Sequence, residues 1–465
     1  MMKLAPSLSV LAGSFVLSGC VNLMPAYERP VAPVPAEFAI DLSPNLEGVS
    51  TLSWDEIILS DDLDALIDLA LVENRDLRVA AANVALARAQ YGISKSGLLP
   101  SVTGSASVTE GDSFGSDNPS ASSAFGDSAR AQIGVSAFEL DFFSRVKNAN
   151  EADFQAWLAT VEGQRAARIT IASTVAQLWV QLASDYELLE LAEETVQVQT
   201  ESLDLTRELL EAGAATELDV RRASTSVETA RAQAAVYRAQ IIQDLNALRL
   251  VVGADLPADI IQKVTNVPDP IMVGVPADLT SDILLNRPDV LQAERTLMAA
   301  NANIGVARAA FYPSISLTGA AGYVSSDLDS LFDGGGGWTF GPSVTLPIFN
   351  AGQLDNQLAA TEAQRDLAIA QYELTIQTAF REFSDALAVA STIDDRLAAL
   401  QQLEEDAGVT LELSEERFRV GVDDYLSVLD AQQTYYDARQ QLITARRDQA
   451  LNQIILFQAL GVTVD

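Results

Sequence analysis

Residues 213–231 read GAATELDVRRASTSVETAR, and residues 421–439 read GVDDYLSVLDAQQTYYDAR. The two stretches share Gly, Leu, Val, Ala and Arg at a constant offset of 208 residues, which recurs at Gly253 and Gly461. An offset kept over some 40 residues indicates an internal duplication with a period of roughly 210 residues.

Each copy contains the same order of predicted elements. An Ala-rich helix stops before a proline, because the residue preceding proline disfavours helix, and two extended segments follow. A very long helix, a glycine-containing turn and a second helix ending at a glycine complete the copy. The predicted helices are about 55–97, 144–211 and 216–252, then 282–310, 351–419 and 424–460.

The extended segments alternate apolar and small polar residues with a period of two. Strands are predicted at about 101–109, 131–142, 314–324 and 338–348, with Ile133, Val135 and Ala137 on one face. Their length of about 10 residues is that of a tilted membrane strand. The loops at 110–128 and 325–337 are rich in Gly and Ser, as expected of exposed outer loops. A small soluble sheet with one wet face remains the alternative.

The long helices carry a heptad repeat, which predicts a left-handed supercoil. The first seam comprises Ile171, Val175, Leu178, Leu182, Asp185, Leu189, Ala192, Val196, Gln199, Leu203, Thr206 and Leu210. The second comprises Ile376, Ala379, Phe383, Ala386, Ala390, Ile393, Leu397, Leu400, Glu404, Ala407, Leu411, Ser414 and Phe418. Helices of this length must pair as a hairpin or with other chains.

The first residues have the pattern of a bacterial lipoprotein signal. A short positive start and an apolar run lead to Leu17-Ser18-Gly19-Cys20, which matches a lipobox. Residues 1–19 are therefore predicted to be a signal peptide, with covalent lipid on Cys20 and a proline-containing linker at 20–54. By analogy with bacterial lipoproteins, Asn22 suggests sorting to the outer membrane. A chance cysteine in an ordinary signal peptide is the alternative.

Composition excludes several classes of function. The formal charge is 29 − 64 = −35, there is no His, and there is one Cys. Such a chain offers no basic stripe for nucleic acid and no histidine for catalysis or metal binding. Paired acids such as Glu193-Glu194 are most simply solvated helix faces. We therefore predict no enzymatic activity, no metal and no cofactor other than the lipid.

The four predicted strands constrain assembly. No segment beyond the signal offers about 18 uninterrupted apolar residues, so a membrane crossing would require a closed barrel. Four strands cannot close one, whereas two copies would give 8 strands and three copies 12. An 8-stranded barrel is filled by side chains, so passage favours the trimer.

Several motifs resemble the TolC-like outer-membrane factor family, specifically the NodT-type efflux lipoproteins. The matching segments are Pro25-Ala26-Tyr27-Glu28-Arg29-Pro30, Asn286-Arg287-Pro288-Asp289-Val290, Ile304-Gly305-Val306-Ala307-Arg308-Ala309-Ala310-Phe311-Tyr312-Pro313, Pro347-Ile348-Phe349-Asn350-Ala351-Gly352 and Arg417-Phe418-Arg419-Val420-Gly421-Val422. The resemblance implies a mainly α fold with a membrane β-barrel. It also implies a homotrimer with 12 strands, continued by a coiled-coil α-barrel.

The same resemblance implies the domain organisation and the partners. Two efflux repeats at 55–253 and 282–465 would flank an equatorial linker at 254–281. Such proteins are outer-membrane exit ducts that work with a periplasmic adaptor and an inner-membrane RND-type pump. Export of small molecules such as drugs, toxic compounds or metal ions is the implied function. A type I protein-secretion duct and a lipid-anchored periplasmic adaptor without a pore remain alternatives.

A periplasmic gate is predicted just past the second helical turn. Leu426 and Asp430 lie four residues apart on one helix face, and the resemblance implies that matching positions line the gate. Asp423 and Asp424 would add charge at this tip. Some relatives carry an Arg three residues after the gate Asp, where this chain has Gln433. The alternative is that Leu426 belongs to an ordinary coiled-coil core and Asp430 is a solvated acid.

Overall fold

The computed structural model describes residues 21–38, 58–111, 127–267, 280–333 and 335–462. The predicted signal peptide and Cys20 lie outside these residues. Contacts divide the chain into two compact units. The sheet unit contains Met1–Val31, Asn83–Val161 and Gln292–Glu373, and the hairpin unit contains Ala32–Ala82, Glu162–Leu291 and Leu374–Asp465. Each unit draws on both sequence repeats.

The described elements alternate between helices and strands in the same order twice. In chain order they are α1 (Asp61–Glu73), α2 (Arg75–Ser96), β1 (Val102–Thr109), β2 (Ser128–Glu139), α3 (Arg145–Glu211), α4 (Glu217–Val252), α5 (Ala258–Ile261), a 3₁₀ helix (Ser281–Asn286), α6 (Pro288–Ala309), β3 (Ser314–Ser325), β4 (Gly337–Thr345), α7 (Gln353–Arg419) and α8 (Tyr425–Leu460).

The heptad seams form the core of the hairpin unit. Every predicted seam residue of α3 and α7 is buried or half-buried. One cluster joins α3, α4 and α8 through Leu191, Tyr237 and Ile443, and another joins α7 to α8 through Leu397 and Leu442. The heptad prediction is therefore confirmed for these two helices.

The predicted helix at about 55–97 is helical from Asp61 to Ser96, but it forms two helices instead of one because the chain breaks at Asn74. This residue has an extended ψ of 134°. Its Oδ1 accepts a hydrogen bond from the Leu77 N–H at 2.9 Å, and its Nδ2 donates to the Val251 carbonyl at 2.6 Å. The side chain thus caps α2 and ties the break to the end of α4.

The predicted helix at about 282–310 also starts too early. Ser281–Asn286 is a 3₁₀ helix, and Arg287 is extended, with φ −61° and ψ 137°. The α-helix begins at Pro288 because proline disfavours helix at the residue before it and suits the first helical position.

Strand β2 begins three residues before its predicted start and ends three residues before its predicted end. A bulge between Val135 and Phe138 interrupts its pairing with β3. Ala137 adopts a φ of 51° and its N–H bonds the Thr318 hydroxyl at 3.1 Å, so it leaves the face that it was predicted to share with Ile133 and Val135.

The four strands form one antiparallel sheet in the order β1-β2-β3-β4. Cross-strand partners share a face, and one face is apolar. It carries Val102, Val108, Ala131, Ile133, Val135, Ile315, Leu317, Tyr323, Trp338, Phe340 and Val344. The opposite face carries Thr103, Ser105, Ser107, Thr109, Arg130, Gln132, Ser316, Thr318, Thr339, Ser343 and Thr345.

None of the helices in the described part of the chain combines the length and the sustained apolar character that a membrane-crossing helix needs.

Candidate functional site

The two helical turns of the hairpin unit have the same backbone geometry. Gly213 and Gly421 both adopt left-handed φ values, 75° and 77°, which favour glycine. The Ala214 N–H bonds the Leu209 carbonyl at 2.8 Å, and the Val422 N–H bonds the Arg417 carbonyl at 2.9 Å. The 208-residue repeat thus produces two matched turns, each followed directly by the helix of its copy.

Both acids predicted to add charge at the second turn have partners. Arg417 holds Asp423 through two hydrogen bonds, Nε–Oδ2 at 2.6 Å and Nη2–Oδ1 at 2.8 Å. The Arg417 guanidinium lowers the pKa of the exposed Asp423 carboxyl. Asp424 caps α8, because its Oδ1 accepts from the Ser427 N–H at 3.1 Å and the Ser427 hydroxyl at 2.9 Å. Both side chains therefore help to shape the turn.

Leu426 and Asp430 lie on the outward face of α8. Leu426 is 49% exposed, so it does not belong to the hairpin core, and Asp430 is also exposed. Tyr425 and Val428, on the other side of this helix, are buried with Leu203 of α3. Among the described residues, the Asp430 carboxylate has no ion pair within 4.0 Å.

Gln433 takes no part in a contact with Asp430. Its Nε2 donates to the Asp437 carboxylate at 2.8 Å, one turn further along α8. The side chain therefore leads away from the turn, and Asp430 is left exposed next to Leu426.

A groove of about 520 Å³ runs between α4 and α8 beside Leu426. Polar side chains such as Thr225 and Gln233 and apolar ones such as Leu429 line it in similar measure. The groove therefore has a mixed surface.

Two carboxyl groups are buried together in the helical core. Asp185 of α3 and Asp244 of α4 are 3% and 5% exposed. Each accepts a hydrogen bond from a glutamine one turn earlier, Gln181 at 3.0 Å and Gln240 at 3.1 Å. Burial, and the hydrogen bond with Asp185, raise the pKa of Asp244 to about 7, so the Asp244 carboxyl holds a proton under mildly acidic conditions. In the sequence, this pair was indicated only by Asp185, which interrupts the apolar seam of α3 with a polar residue.

The motif residue Arg287 binds the end of α8 within the hairpin unit. Its guanidinium is largely buried and donates to the Ala459 carbonyl at 2.7 Å, to Asp289 at 2.8 Å and to Glu382 at 3.1 Å. The turn at Gly461 packs against it, since a Cβ there would lie 2.9 Å from the Arg287 Cγ. This part of the motif fixes the C-terminal end of α8 and is distant in sequence from the turn residues.

The N-terminal segment of the sheet unit is held against α6. Glu294 is 4% exposed and accepts from Arg29 Nε at 2.7 Å, Arg29 Nη2 at 2.6 Å and the Tyr27 hydroxyl at 3.1 Å. Asn301 donates to the Pro25 carbonyl at 2.9 Å. The Val21 N–H bonds the Phe142 carbonyl at 3.0 Å, just beyond the end of β2. The residue that follows Cys20 is thus fixed next to the sheet.

In the part of the chain that the structure describes, no group of three or more acidic side chains is arranged to hold a metal ion.

Comparison with known proteins gives one consistent result. The sequence profile of the outer membrane efflux protein family matches residues 66–254 and 279–462. The toluene efflux pump outer membrane protein TtgC of Pseudomonas putida is 40% identical over 460 residues, covering 98% of this chain and 95% of the relative.

Solved structures agree with this match. A membrane protein from Pseudomonas aeruginosa has a TM-score of 0.89 and 37% identity, covering 95% of this chain and 98% of the other. The open state of the MtrE outer membrane channel of Neisseria gonorrhoeae has a TM-score of 0.86 and 32% identity, covering 96% and 99%. The chain belongs to the outer membrane efflux protein family and is an outer-membrane component of an efflux system.

Proposed function

We propose that three copies of this chain form the exit duct of a tripartite efflux system, with a shared 12-stranded barrel in the outer membrane. The four-stranded sheet carries the proposal. Its strands β1 and β4 are each paired on one side alone, and its apolar face is exposed, with Trp338 79% and Phe340 63% accessible. The unpaired edges of an isolated sheet are not tolerated in lipid, because they leave backbone groups unsatisfied there. The exposed apolar face is suited to lipid rather than to water.

Joining β1 of one copy to β4 of the next satisfies both edges. Two copies would give 8 strands, whose interior is filled by side chains, and three would give 12 and leave a lumen. The exposed apolar face would then contact lipid and the opposite face would line the lumen. The hydroxyl-rich composition of that second face supports this orientation.

The remaining parts of the duct follow from the helices and the N-terminus. We propose that the helical hairpins form a coiled-coil α-barrel that meets a periplasmic adaptor, and that an inner-membrane RND-type pump supplies the energy. Covalent lipid on Cys20 would anchor each copy. The hydrogen bond from Val21 to the end of β2 supports an anchor next to the barrel.

The proposed gate is a ring of Leu426 and Asp430 at the periplasmic tip. Their exposure on a common face of α8 supports this role, since side chains on this face are free to meet those of neighbouring copies. Asp423 and Asp424 contribute little free charge to the gate. Asp423 is paired with Arg417, and Asp424 caps the start of α8. Passage through the duct is passive and requires no catalytic group.

Cargo of small organic molecules is the best-supported class. The named relative is a toluene efflux protein.

Ion conductance tests the proposal directly. The purified protein should run as a heat-resistant trimer on gels and conduct in planar bilayers. Asp430→Ala should raise the conductance at pH 7 severalfold, because it removes the charged part of the constriction, while Asp437→Ala, two turns along the same helix, should leave it near the wild-type value. Absence of conductance, even with Leu426 and Asp430 both replaced by Ala, would refute the duct.

A further inference from the structure

Arg130 is a positive charge on the polar face of the sheet that forms no ion pair with the described residues. The four strands contain two charged residues, Arg130 and Glu139. Glu139 is engaged by Arg145, whose Nε lies 2.8 Å from Oε1. Arg130 is exposed, and the described residues offer it no ion pair within 4.0 Å. It is therefore the one charge of the strands without a counter-ion there.

The cross-strand register fixes the surroundings of Arg130. It lies opposite Ser107 of β1 and Val324 of β3, and Gln132 follows it on the same face of β2. All three neighbours are uncharged. The acid nearest to it in sequence, Asp127, accepts a hydrogen bond from the Gly111 N–H at 3.1 Å. Among the described residues, the cross-strand neighbours therefore leave the guanidinium donors of Arg130 without a counter-ion.

The position of Arg130 along β2 places it near the loop that joins β1 to β2. Arg130 is the third residue of β2, whereas the opposite end of the strand leads to α3. The formal net charge of the chain is −35, so a positive group on this face differs in sign from the chain as a whole. An isolated charge on a low-dielectric wall has a stronger effect on passing ions than one of many on a wet surface.

We propose that Arg130 makes a ring of three guanidinium groups in the lumen that binds carboxylate- or phosphate-bearing solutes and sets the charge selectivity of the outer end of the duct. This inference rests on the proposed trimeric barrel, because the ring exists only if three polar faces enclose one lumen. Guanidinium groups bind carboxylates and phosphates through paired hydrogen bonds. Anionic cargo would therefore meet a favourable site at the end of a negatively charged passage.

A charge series at this position tests the ring. Arg130→Lys, Arg130→Gln and Arg130→Glu are compared with the parent in planar bilayers under a KCl gradient, all in a background carrying Leu426→Ala and Asp430→Ala. The permeability ratio of potassium to chloride should be similar for Arg and Lys. It should rise by roughly a factor of 2–5 for Gln and further for Glu, because the ring loses and then reverses its charge. Trimer formation on gels checks assembly of each variant.

Block by tripolyphosphate provides a second measurement. Added from the loop side, it should reduce the current of the Arg and Lys forms and leave that of the Gln form unaffected. Equal selectivity and equal block in all four forms, with normal conductance, would overturn the ring but leave the duct intact. Absence of current in every form would overturn the duct and the ring with it.

Discussion

The buried carboxyl pair of Asp185 and Asp244 makes the stability of the helical core depend on pH. The pKa of Asp244 is raised to about 7 by burial and by its hydrogen bond with Asp185, so the folded chain favours its protonated form. The resulting stabilisation is complete below the unfolded pKa of about 3.9, and it is lost as pH rises through about 7.

Replacing Asp244 with Asn should remove this dependence. The amide keeps a hydrogen-bond donor towards Asp185 without a charge, so Asp244→Asn should be more stable than the parent at pH 8 by roughly 1–3 kcal/mol. At or below about pH 4, where the unfolded and folded forms of the parent are both largely protonated at this position, the two should be nearly equal. Thermal unfolding followed by circular dichroism between pH 4 and 8 measures how the stability of the parent and of the variant changes with pH. Asp395→Asn, at an exposed position, serves as the control. If the stability of Asp244→Asn changed with pH as steeply as that of the parent, the raised pKa of Asp244 would be refuted.

Glu294 should determine how firmly the N-terminal segment is held within the sheet unit. Glu294→Gln keeps the shape of the side chain but removes the countercharge of Arg29, which is half-exposed, so the loss should be about 1–2 kcal/mol. Chymotrypsin should then cleave after Tyr27 several times faster than in the parent. The neighbouring, exposed Glu28→Gln is the matched control. Equal cleavage rates in all three proteins would show that the Glu294 contacts do not hold the segment.

At the scale of elements, the turn between α7 and α8 depends on the cap at Asp424. Asp424→Ala removes the acceptor for the Ser427 N–H and should destabilise the start of α8 by about 1 kcal/mol. Asp424→Asn keeps the acceptor without the charge and should behave like the parent. Hydrogen exchange of the amides at 425–428 distinguishes the two variants. Equal exchange in Ala and Asn would mean that the charge, rather than the cap, supports the turn.

Much of this architecture was predictable because it has a strong period. Seam residues such as Val175 and Phe383 recur every seven residues, and the glycines at 213 and 421 mark the turns with a fixed offset. The bounds of α3 and α7 consequently fall within two residues of those predicted. Local exceptions were not predictable, because the break at Asn74 depends on a bond to Val251, 177 residues away.

Sequence was less informative about the functional residues. The exposure of Leu426 fits the gate that the family resemblance implied, but the partners of Asp423 and Asp424 required coordinates. Glu294 meets Arg29 across 265 residues, and Arg130 acquires its significance from neighbours on two other strands. Such sites are created by tertiary pairing, which a single sequence does not encode in any local pattern.

At the scale of the whole molecule, the account depends on the two free edges of the sheet. In one copy β1 and β4 are separated by β2 and β3, which is about 14 Å at a strand spacing of about 4.8 Å. A disulfide between these edges cannot form within a copy without moving the sheet. It can form between neighbouring copies if their edges pair.

Cysteine cross-linking of the edges tests the central claim most directly. Ser107→Cys in β1 is combined in turn with Thr339→Cys, Gly341→Cys and Ser343→Cys in β4, and the oxidised protein is run on denaturing gels. We predict that at least one combination gives a covalent closed trimer as the largest species. As the control, Gln132→Cys in the central strand β2, combined with the same three β4 cysteines, should give no cross-linked trimer. Monomers alone in every combination, or an unlimited ladder of oligomers, would contradict a barrel closed by three copies.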